Sequence, residues 1–351
     1  TEWPARVCRA ILAGDLDAGE GTPSNSEAPI YRKPDNRTTG RFLVMQAARF
    51  FSSQLGGLIY ADQWDIGVVD APIHRFLDPT FRPSVRWLGL GDPPHVYAAD
   101  PFAMPSGDTV LYERFDNATR KGEIWQAPLP GSAKPNNEEA LTTPAALPLS
   151  SHASYPFVFS DGSETYCLPQ VAGQPPRLYG LHDKKWEEVA TLLQEPVLDP
   201  TVIRWGGRWW LLATRPGRDS LTKLHIWWTD HLTGPWRPHT LNPVKTDVRS
   251  ARPAGTPFIH DGRLYRPAQD CSAGYGAAVA LCEITELGPT SFTETVVNIV
   301  RPDSSWPRPL GLHTLSAAGD QTLLDAKGRA ISRYETAAEL RGRFQHLRRL
   351  V

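Results

Sequence analysis

The 351-residue sequence has few cysteines, almost no net charge and no long apolar run. Its four cysteines are too few for a disulfide-stabilised scaffold and lack the spacing of a metal site. The formal net charge of −1 excludes a broad attraction to nucleic acid or to an anionic membrane surface. Without about 18 consecutive apolar residues, no membrane span is predicted. We therefore expect a protein with no metal, no cofactor and no nucleic-acid partner.

The cysteines also bear on the cellular compartment. Cys167 and Cys282 lie inside apolar strand-like segments, which indicates buried free thiols. This slightly favours a reducing, cytoplasmic location. No signal peptide is visible, but a secreted protein that had lost its signal peptide would look the same, so secretion stays open.

The sequence is rich in residues that suit short strands and tight turns, with 33 Pro, 28 Gly and 12 Trp, whereas helical patterns are scarce. One stretch, 198–214, is typical of a hairpin: a strand with β-branched residues, the turn Gly206-Gly207, and an aromatic strand that returns. It opens with Asp199-Pro200. Since proline has no N–H to donate to a ladder, this Asp-Pro pair is expected where a strand begins, at the rim of a sheet.

The same pattern recurs along the chain. Copies start at roughly 45 to 60 residue intervals, a period that indicates propeller blades rather than helical repeats. The copies open near residues 100, 155, 199, 255 and 313. The sequence therefore predicts an all-β, five-bladed β-propeller as a single domain over residues 1–351. Residues 1–70 would supply an N-terminal extension and a strand that closes the ring, and residues 335–351 a short C-terminal helix.

Blade-opening residues converge at one end of a propeller because the innermost strand of each blade lines the central channel. This places Asp100, Tyr155, Asp199, Arg252 and His313 around one mouth. A single Asp-Pro is more simply explained as a strand start, but two at equivalent blade positions favour function. Paired carboxylates are the usual apparatus for cleaving a glycosidic bond.

Other side chains are open to two interpretations. Arg252 and Arg266 either form structural ion pairs or clamp a carboxylate, a phosphate or a sugar diol. Trp64, Trp125 and Tyr275 either belong to the core or stack on sugar faces. The predicted substrate-binding residues are Trp64, Asp65, Tyr155, Arg252, Arg266, Gln269 and His313.

Two families share these motifs. The Asp-Pro pairs at 100–101 and 199–200, together with 207–210 and the blade spacing, resemble the five-bladed propellers of family 43 and 32 glycoside hydrolases. Five further segments resemble the propeller domain that lies N-terminal to the catalytic domain of plant glucosamine inositolphosphorylceramide transferase and also occurs alone in bacteria. Those segments are 63–67, 154–157, 251–255, 265–270 and 311–314.

The resemblance to the hydrolases implies roles for two aspartates. Asp100 matches the general base of the first blade, and Asp199 matches the aspartate that orients the site and tunes the pKa of the acid. The Glu-Gly-Pro that supplies the general acid is absent, because Ala254-Gly255-Thr256 stands in its place. The acid must then come from another carboxyl group. Asp270 is preferred over Glu123, and the further alternatives are Glu113 and Asp65.

The leading hypothesis is therefore a carbohydrate-active hydrolase that cleaves a terminal or small sugar, with Asp100, Asp199 and either Asp270 or Glu123 as its catalytic carboxyl groups. One alternative is a non-catalytic propeller that binds an anionic glycan through Arg252, Arg266 and His313. A third is a glycosyl-transferring enzyme in which a sugar acceptor replaces water at the same site.

Overall fold

The structure is a computed structural model that describes residues 7–8, 11–14, 34–91, 95–130 and 142–331. Its chain contacts separate two compact units, Thr1–Gln54 and Leu55–Val351. A helix, α1, spans Asn36–Ile59. The sequence pattern of residues 41–56 fits a helix or a strand equally well. The predicted helix at 335–351 lies outside the described residues, and the single domain over 1–351 stays a prediction. No helix in the described ranges is long and apolar enough to cross a bilayer.

The predicted five-bladed propeller is confirmed, since five separate antiparallel sheets follow one another along the chain. The first blade consists of β3 (Val96–Ala103), β4 (Thr109–Asp116), β5 (Lys121–Pro128) and β6 (Thr143–Pro144). The second consists of β7 (Ala153–Asp161), β8 (Glu164–Val171), β9 (Arg177–His182) and β10 (Lys185–Thr191).

The third and fourth blades repeat this order. The third consists of β11 (Leu198–Trp205), β12 (Arg208–Thr214), β13 (Lys223–Thr229) and β14 (Arg237–Pro238), and β15 (Lys245–Thr246) also pairs with β13. The fourth consists of β16 (Phe258–His260), β17 (Arg263–Asp270), β18 (Ala278–Leu287) and β19 (Phe292–Val300). The predicted hairpin at 198–214 is the β11–β12 pair, with Gly206 and Gly207 in its turn at positive φ.

The fifth blade combines both ends of the described propeller. Its strands are β20 (Leu315–Ala318), β21 (Gln321–Ile331), β1 (Tyr60–Val69) and β2 (Arg86–Trp87), in the order β2-β1-β21-β20. The sequence pattern at 57–69 predicts two short strands around a kink, and this is wrong: α1 continues to Ile59 and β1 is one uninterrupted strand. A short 3-10 helix (Ile73–Leu77) and a loop separate β1 from β2.

The core lies between neighbouring blades rather than at one centre. Phe102, Phe157, Leu168 and Leu211 belong to one buried cluster that joins the first three blades. A second cluster joins the fourth and fifth blades around Leu281, Leu315 and Leu324, among others. Because the hydrophobic clusters lie between neighbouring blades, the inner strands remain free to present polar groups to the channel.

The repeated Asp-Pro pattern produces a bulge rather than a strand start. In β3 the ladder jumps from Ala99 to Phe102, so Asp100 and Pro101 fall between the paired residues, inside the strand. The sequence-based expectation of a strand start is thus wrong for Asp100, because a bulge tolerates a residue that cannot donate. Similar jumps occur at Ser154/Phe157 in β7 and at Leu198/Thr201 in β11.

Candidate functional site

The three bulges hold non-glycine residues in the left-handed region. Asp100 has φ 52°, Tyr155 has φ 46° and Asp199 has φ 50°, and each precedes a proline. Such conformations cost free energy for a bulky residue like tyrosine, and they cluster at functional sites. The bulges turn these residues out of their ladders on the innermost strands. In the fourth blade the residue before the proline is Thr256, and the positive φ falls one residue earlier, at Gly255 (φ 125°), where a Cβ would lie 2.0 Å from Leu315 O.

Asp199 is held by two residues of the fourth blade. Arg252 Nη2 donates to Asp199 Oδ1 at 3.1 Å, and Arg252 Nε donates to Oδ2. Gln269 Nε2 also donates to Oδ2, at 3.1 Å. Burial disfavours the charge of Arg252, but Asp199 outweighs it and raises the pKa of the guanidinium. Both Asp199 oxygens are thus occupied, and Arg252 stays a cation under the channel mouth.

Asp100 belongs to a chain of groups that ends at Asp325. Its Oδ1 accepts from Thr314 Oγ1 at 2.8 Å and lies 3.5 Å from His313 Nε2, while Oδ2 accepts from Tyr155 N–H at 3.2 Å. On the other side of the imidazole, Nδ1 of His313 lies 2.7 Å from Asp325 Oδ2. Asp325 also accepts from the backbone N–H groups of Asp100, His313 and Thr314. These contacts tie the first blade to the fifth.

The pKa values of Asp100, His313 and Asp325 are shifted in different directions by their surroundings. Burial raises the pKa of Asp100 to about 6, with Asp325 and Asp199 adding to the rise and His313 opposing it. Burial alone would lower the pKa of His313, but Asp325 and Asp100 outweigh it, so that pKa is raised. For Asp325 burial is outweighed by His313 and by the backbone donors, and its pKa is lowered. His313 therefore lies between two acids that favour its charged form.

Glu113 is the fourth acid at the mouth. It lies on β4 opposite Ala99, next to the Asp100 bulge, and its exposed fraction is 6%. Burial raises its pKa well above the ordinary value, and the charges of Asp100, Asp199 and Asp325 raise it further. Space for its carboxyl group depends on Gly122, where a Cβ would lie 2.3 Å from Glu113 Oε1. We define the channel cluster as Asp100, Glu113, Asp199, Arg252, His313 and Asp325.

Aromatic side chains cover the channel cluster. Tyr275, 41% exposed, lies with its ring 5.4 Å from the guanidinium of Arg252 and edge-on to His313 at 5.5 Å. Trp64 packs against His313 with ring centroids 4.1 Å apart. Lys327 Nζ donates to Tyr275 O at 2.6 Å and lies over the Trp64 ring. The positive φ of Gly274 and Gly276 gives the Tyr275 loop a backbone that glycine permits best.

Asp100, His313 and Asp325 also have the spacing of a cation site. One ligand atom from each residue lies within 4.8 Å of the others. The imidazole of His313 already pairs with both carboxyl groups, through Nε2 with Asp100 and through Nδ1 with Asp325. The donor set can thus be explained as an ion pair without any bound ion.

Several predicted site residues make other contacts. Tyr155 is fully buried, and its hydroxyl accepts from Gly255 N–H at 2.8 Å and lies 2.9 Å from Thr201 Oγ1, so it braces the channel wall. Asp65 accepts from three backbone N–H groups and from Arg308, which anchors the 88–91 loop. Arg266 forms a buried ion pair with Glu294.

Asp270 and Glu123, the two acids preferred from the sequence, have different surroundings from Glu113. Glu123 pairs with Lys121 at 3.0 Å with 47% of its side chain exposed, and the Lys121 contact lowers its pKa. A general acid needs the opposite shift, so this environment favours another carboxyl group over Glu123 for that role. Asp270 ends β17 and accepts from Ser272 N–H at 2.9 Å, which makes it a turn-stabilising residue.

The structure thus brings seven of the predicted residues to one region and adds others. The seven are Trp64, Asp100, Tyr155, Asp199, Arg252, Gln269 and His313. Sequence reasoning missed Asp325 and Thr314 and gave Glu113 only as a further alternative. His313-Thr314 lies in a recognised motif, but Asp325 lies in an apolar strand without any turn or repeat signal.

The sequence has clear relatives. The family described as glucosamine inositolphosphorylceramide transferase 1, N-terminal, matches residues 90–308. The transferase 1 of Oryza sativa subsp. japonica is 34% identical over 221 residues, which is 60% of this chain and 29% of the rice protein. That of Arabidopsis thaliana is 32% identical over 217 residues, 58% of this chain and 28% of the plant protein. The chain thus spans less than a third of the curated relatives it matches.

Solved structures of similar shape are more distant. A family 117 glycoside hydrolase, Zg3597 of Zobellia galactanivorans, has a TM-score of 0.44 at 16% identity, covering 66% of this chain and 85% of its own. A family 43 β-1,3-galactosidase, BT3683, has a TM-score of 0.46 at 9% identity, covering 62% and 82%. At these scores the assignment of the fold rests on the five sheets themselves.

Proposed function

The chain belongs to the family of the N-terminal domain of glucosamine inositolphosphorylceramide transferase 1, and from that premise we propose that its propeller is a carbohydrate-active enzyme. The reaction is hydrolysis of a glycosidic bond to a terminal or small sugar at the channel mouth. The relatives are named as glucosamine inositolphosphorylceramide transferases, and glucosamine is a sugar, so a glycan ligand suits the family. The channel cluster supplies the chemistry.

The observation that carries this proposal is the presence of two carboxyl groups with different protonation in one buried cluster. With a pKa of about 6, Asp100 is about 90% ionised at pH 7 and can act as a base. Burial and the charge of Asp100 raise the pKa of Glu113 well above its ordinary value, which favours the protonated form that a general acid needs. Pairs of acids whose pKa values are separated in this way are typical of acid–base catalysis.

The other members of the channel cluster hold these two groups in place. Asp199 fixes the guanidinium of Arg252, which can donate to a sugar hydroxyl. His313 and Thr314 orient Asp100, and the positive charge of His313 prevents a larger rise in the pKa of Asp100. Asp325 in turn keeps His313 protonated.

Access to Asp100 and Glu113 depends on the Tyr275 loop. Tyr275 lies over Arg252 and His313, and both residues beneath it are largely buried. A substrate must therefore displace this ring, after which Tyr275 and Trp64 can pack against the sugar. This requirement favours small or terminal sugars over the interior of a long polymer.

The experiment compares two variants on two kinds of substrate. Asp100→Asn should abolish hydrolysis of every glycoside, because it removes the base. Glu113→Gln should abolish hydrolysis of natural glycosides and spare aryl glycosides with a good leaving group, which need little acid assistance. Glu123→Gln is the matched control and should retain full activity on both. Activity is screened with aryl glycosides and natural oligosaccharides, with the product anomer determined by NMR.

The result has three informative outcomes. Full activity of Asp100→Asn would refute the hydrolase. Full activity of Glu113→Gln on natural glycosides would refute Glu113 as the acid, and Asp270→Asn would then be compared in the same assay. Products that appear only when a sugar acceptor is added would identify a transferase at the same site.

One observation favours a non-catalytic glycan-binding propeller as the second candidate. The oxygens of Asp100 and Asp199 already accept hydrogen bonds from protein donors. A purely structural network would look the same. This candidate predicts that the wild-type protein binds a glycan without hydrolysing it and that Asp100→Asn, if folded, retains binding.

A further inference from the structure

A second cavity lies away from the channel cluster, between the fourth and fifth blades. It has a volume of about 500 Å³ and shares no lining residue with the channel cluster. One wall is the segment 76–83, which contains the end of the 3-10 helix and the loop after it. The other wall is 298–306, the end of β19 and the connection towards β20. We call it the rim cleft. Its volume lies within the range of small-ligand pockets.

The walls of the rim cleft are fixed by contacts beneath it. Asn298 Nδ2 donates to Phe76 O at 2.7 Å, which joins the two walls. Phe81 packs edge-on against the buried ring of Phe76, with centroids 5.2 Å apart. Trp306 packs edge-on against Trp87, with centroids 5.5 Å apart. Two half-buried aromatic rings are therefore held in the cleft before any ligand arrives, which lowers the entropy lost on binding.

Cationic donors line the same cleft. Nη1 of Arg82 donates to Pro79 O and Phe81 O, which holds its guanidinium in place and leaves its other N–H groups for a ligand. Arg301 is exposed, and within the described part of the chain it forms no ion pair. Guanidinium groups beside aromatic rings suit hydroxyl or anionic ligands.

Two carboxylates complete the lining. Asp78 uses Oδ1 to accept from Thr80, and Asp303 uses Oδ1 to accept from Ser305 N–H. The Thr80 side chain and the Ser305 backbone lower the pKa values of these two acids, so both remain ionised acceptors. Each wall carries one arginine and one aspartate, so the formal charges of the lining residues cancel. A free phosphate or a sugar acid would face the repulsion of both carboxylates.

We infer that the rim cleft is a second glycan-binding site that takes a neutral oligosaccharide. The guanidinium of Arg75 lies over one face of Phe81, 5.0 Å from the ring centroid. The other face of Phe81 and the ring of Trp306 carry negative charge from their π-systems and attract the C–H groups of a sugar ring. Arg301 donates to sugar hydroxyls and Asp303 accepts from them. The site does not depend on the proposed function, since none of its residues touches the channel cluster.

Binding can be measured by calorimetry and saturation-transfer NMR with linear hexasaccharides of glucose, xylose and mannose. At least one should bind, and Arg301→Ala should weaken its affinity about tenfold through the loss of a charge-assisted hydrogen bond. Phe81→Ala should weaken it further, with circular dichroism to confirm folding. Arg218→Ala, which removes an exposed arginine elsewhere, is the matched control and should bind as the wild type does.

Asp100→Asn separates this site from the channel. Binding that survives Asp100→Asn and falls with Arg301→Ala supports the rim cleft, whatever the activity of the channel cluster. Binding that is kept in Arg301→Ala, whether or not Asp100→Asn loses it, would place the sugar outside the rim cleft and overturn the inference. Absence of binding to every hexasaccharide, or displacement of a bound one by inorganic phosphate at equal concentration, would overturn it as well.

Discussion

Two buried groups of charged side chains lie in this propeller, and they are built on opposite principles. In the fourth blade Glu294 accepts from Arg266 at 2.7 Å through both its oxygens and from Lys245 at 2.7 Å. These cations outweigh the effect of burial and lower the pKa of Glu294. In the channel cluster four acids share two cations, and burial raises the pKa values of Asp100 and Glu113.

The cations around Glu294 favour its ionised form, whereas the acids of the channel cluster oppose the ionisation of one another. A buried charge with matched partners holds strands together, whereas a buried acid next to other acids favours the neutral form and costs free energy when it ionises. Perturbed acids that persist despite this cost are typical of functional sites. The comparison therefore supports placing the chemistry in the channel and not at Arg266, which the sequence also suggested as a substrate clamp.

The largest effect is expected from breaking the matched group. Glu294→Gln leaves Arg266 buried without its counter-charge and should lower the free energy of unfolding by about 3 kcal/mol. Urea denaturation monitored by circular dichroism measures the loss. Glu286→Gln, an exposed acid of the same blade, is the control and should change stability by less than about 0.5 kcal/mol. Equal stability of Glu294→Gln and the wild type would contradict the comparison.

A smaller loss is expected where the channel cluster meets the backbone. In Gly122→Ala the new Cβ would lie 2.3 Å from Glu113 Oε1 and 2.8 Å from Ala153 O. Overpacking of this kind should cost about 2 kcal/mol. In a protein that already carries Glu113→Ala, the substitution Gly122→Ala should cost less stability than it does in the wild type, because the carboxyl group that would clash is gone. Purely additive losses would mean that Gly122 makes no room for Glu113.

Removing an acid from the channel cluster should stabilise the protein above acidic pH. Because folding raises the pKa of Glu113, the unfolded wild type loses this proton at a lower pH than the folded protein does. The free energy of unfolding of the wild type therefore falls as the pH rises towards the folded pKa. Glu113→Gln should match the wild type near pH 4 and exceed it by at least about 1 kcal/mol at pH 7, since one pKa unit corresponds to about 1.4 kcal/mol.

Urea denaturation of both proteins across this pH range measures that difference. Glu294 should show the opposite sign, since its lowered pKa contributes stability above the unfolded pKa and loses it as pH falls. A Glu113→Gln variant that is less stable than the wild type at pH 7 would show that the carboxylate is matched after all.

The smallest effect is expected at the exposed pair of Lys121 and Glu123. Both side chains are more than 40% exposed, so solvent screens their attraction. Glu123→Gln should change the free energy of unfolding by less than about 0.5 kcal/mol, as thermal and urea denaturation can verify. A larger loss would require a role for Glu123 that its surroundings do not indicate.

The repeated pattern was enough to predict the blades, because each copy carries its own turn and strand signals. The meeting of Asp100, Asp199, Arg252 and His313 also followed from their equivalent positions. Asp325 could not be found, since it is an isolated acid in β21 whose role arises only when the first and fifth blades pack together. Glu113 was ranked below Glu123 because a strand pattern does not reveal which face turns towards neighbouring acids.

The closure of the ring sets the order in which the propeller can form. In the fifth blade Tyr60 pairs with Ile331 and Val69 with Thr322, so residues from opposite ends of the described propeller share one ladder. Contacts this distant in sequence carry a high loop-closure entropy and slow folding. The first four blades are made of local hairpins, which can form while the ribosome is still adding residues. The fifth must wait for β21, and Asp325, carried by that strand, completes the channel cluster only at that final step.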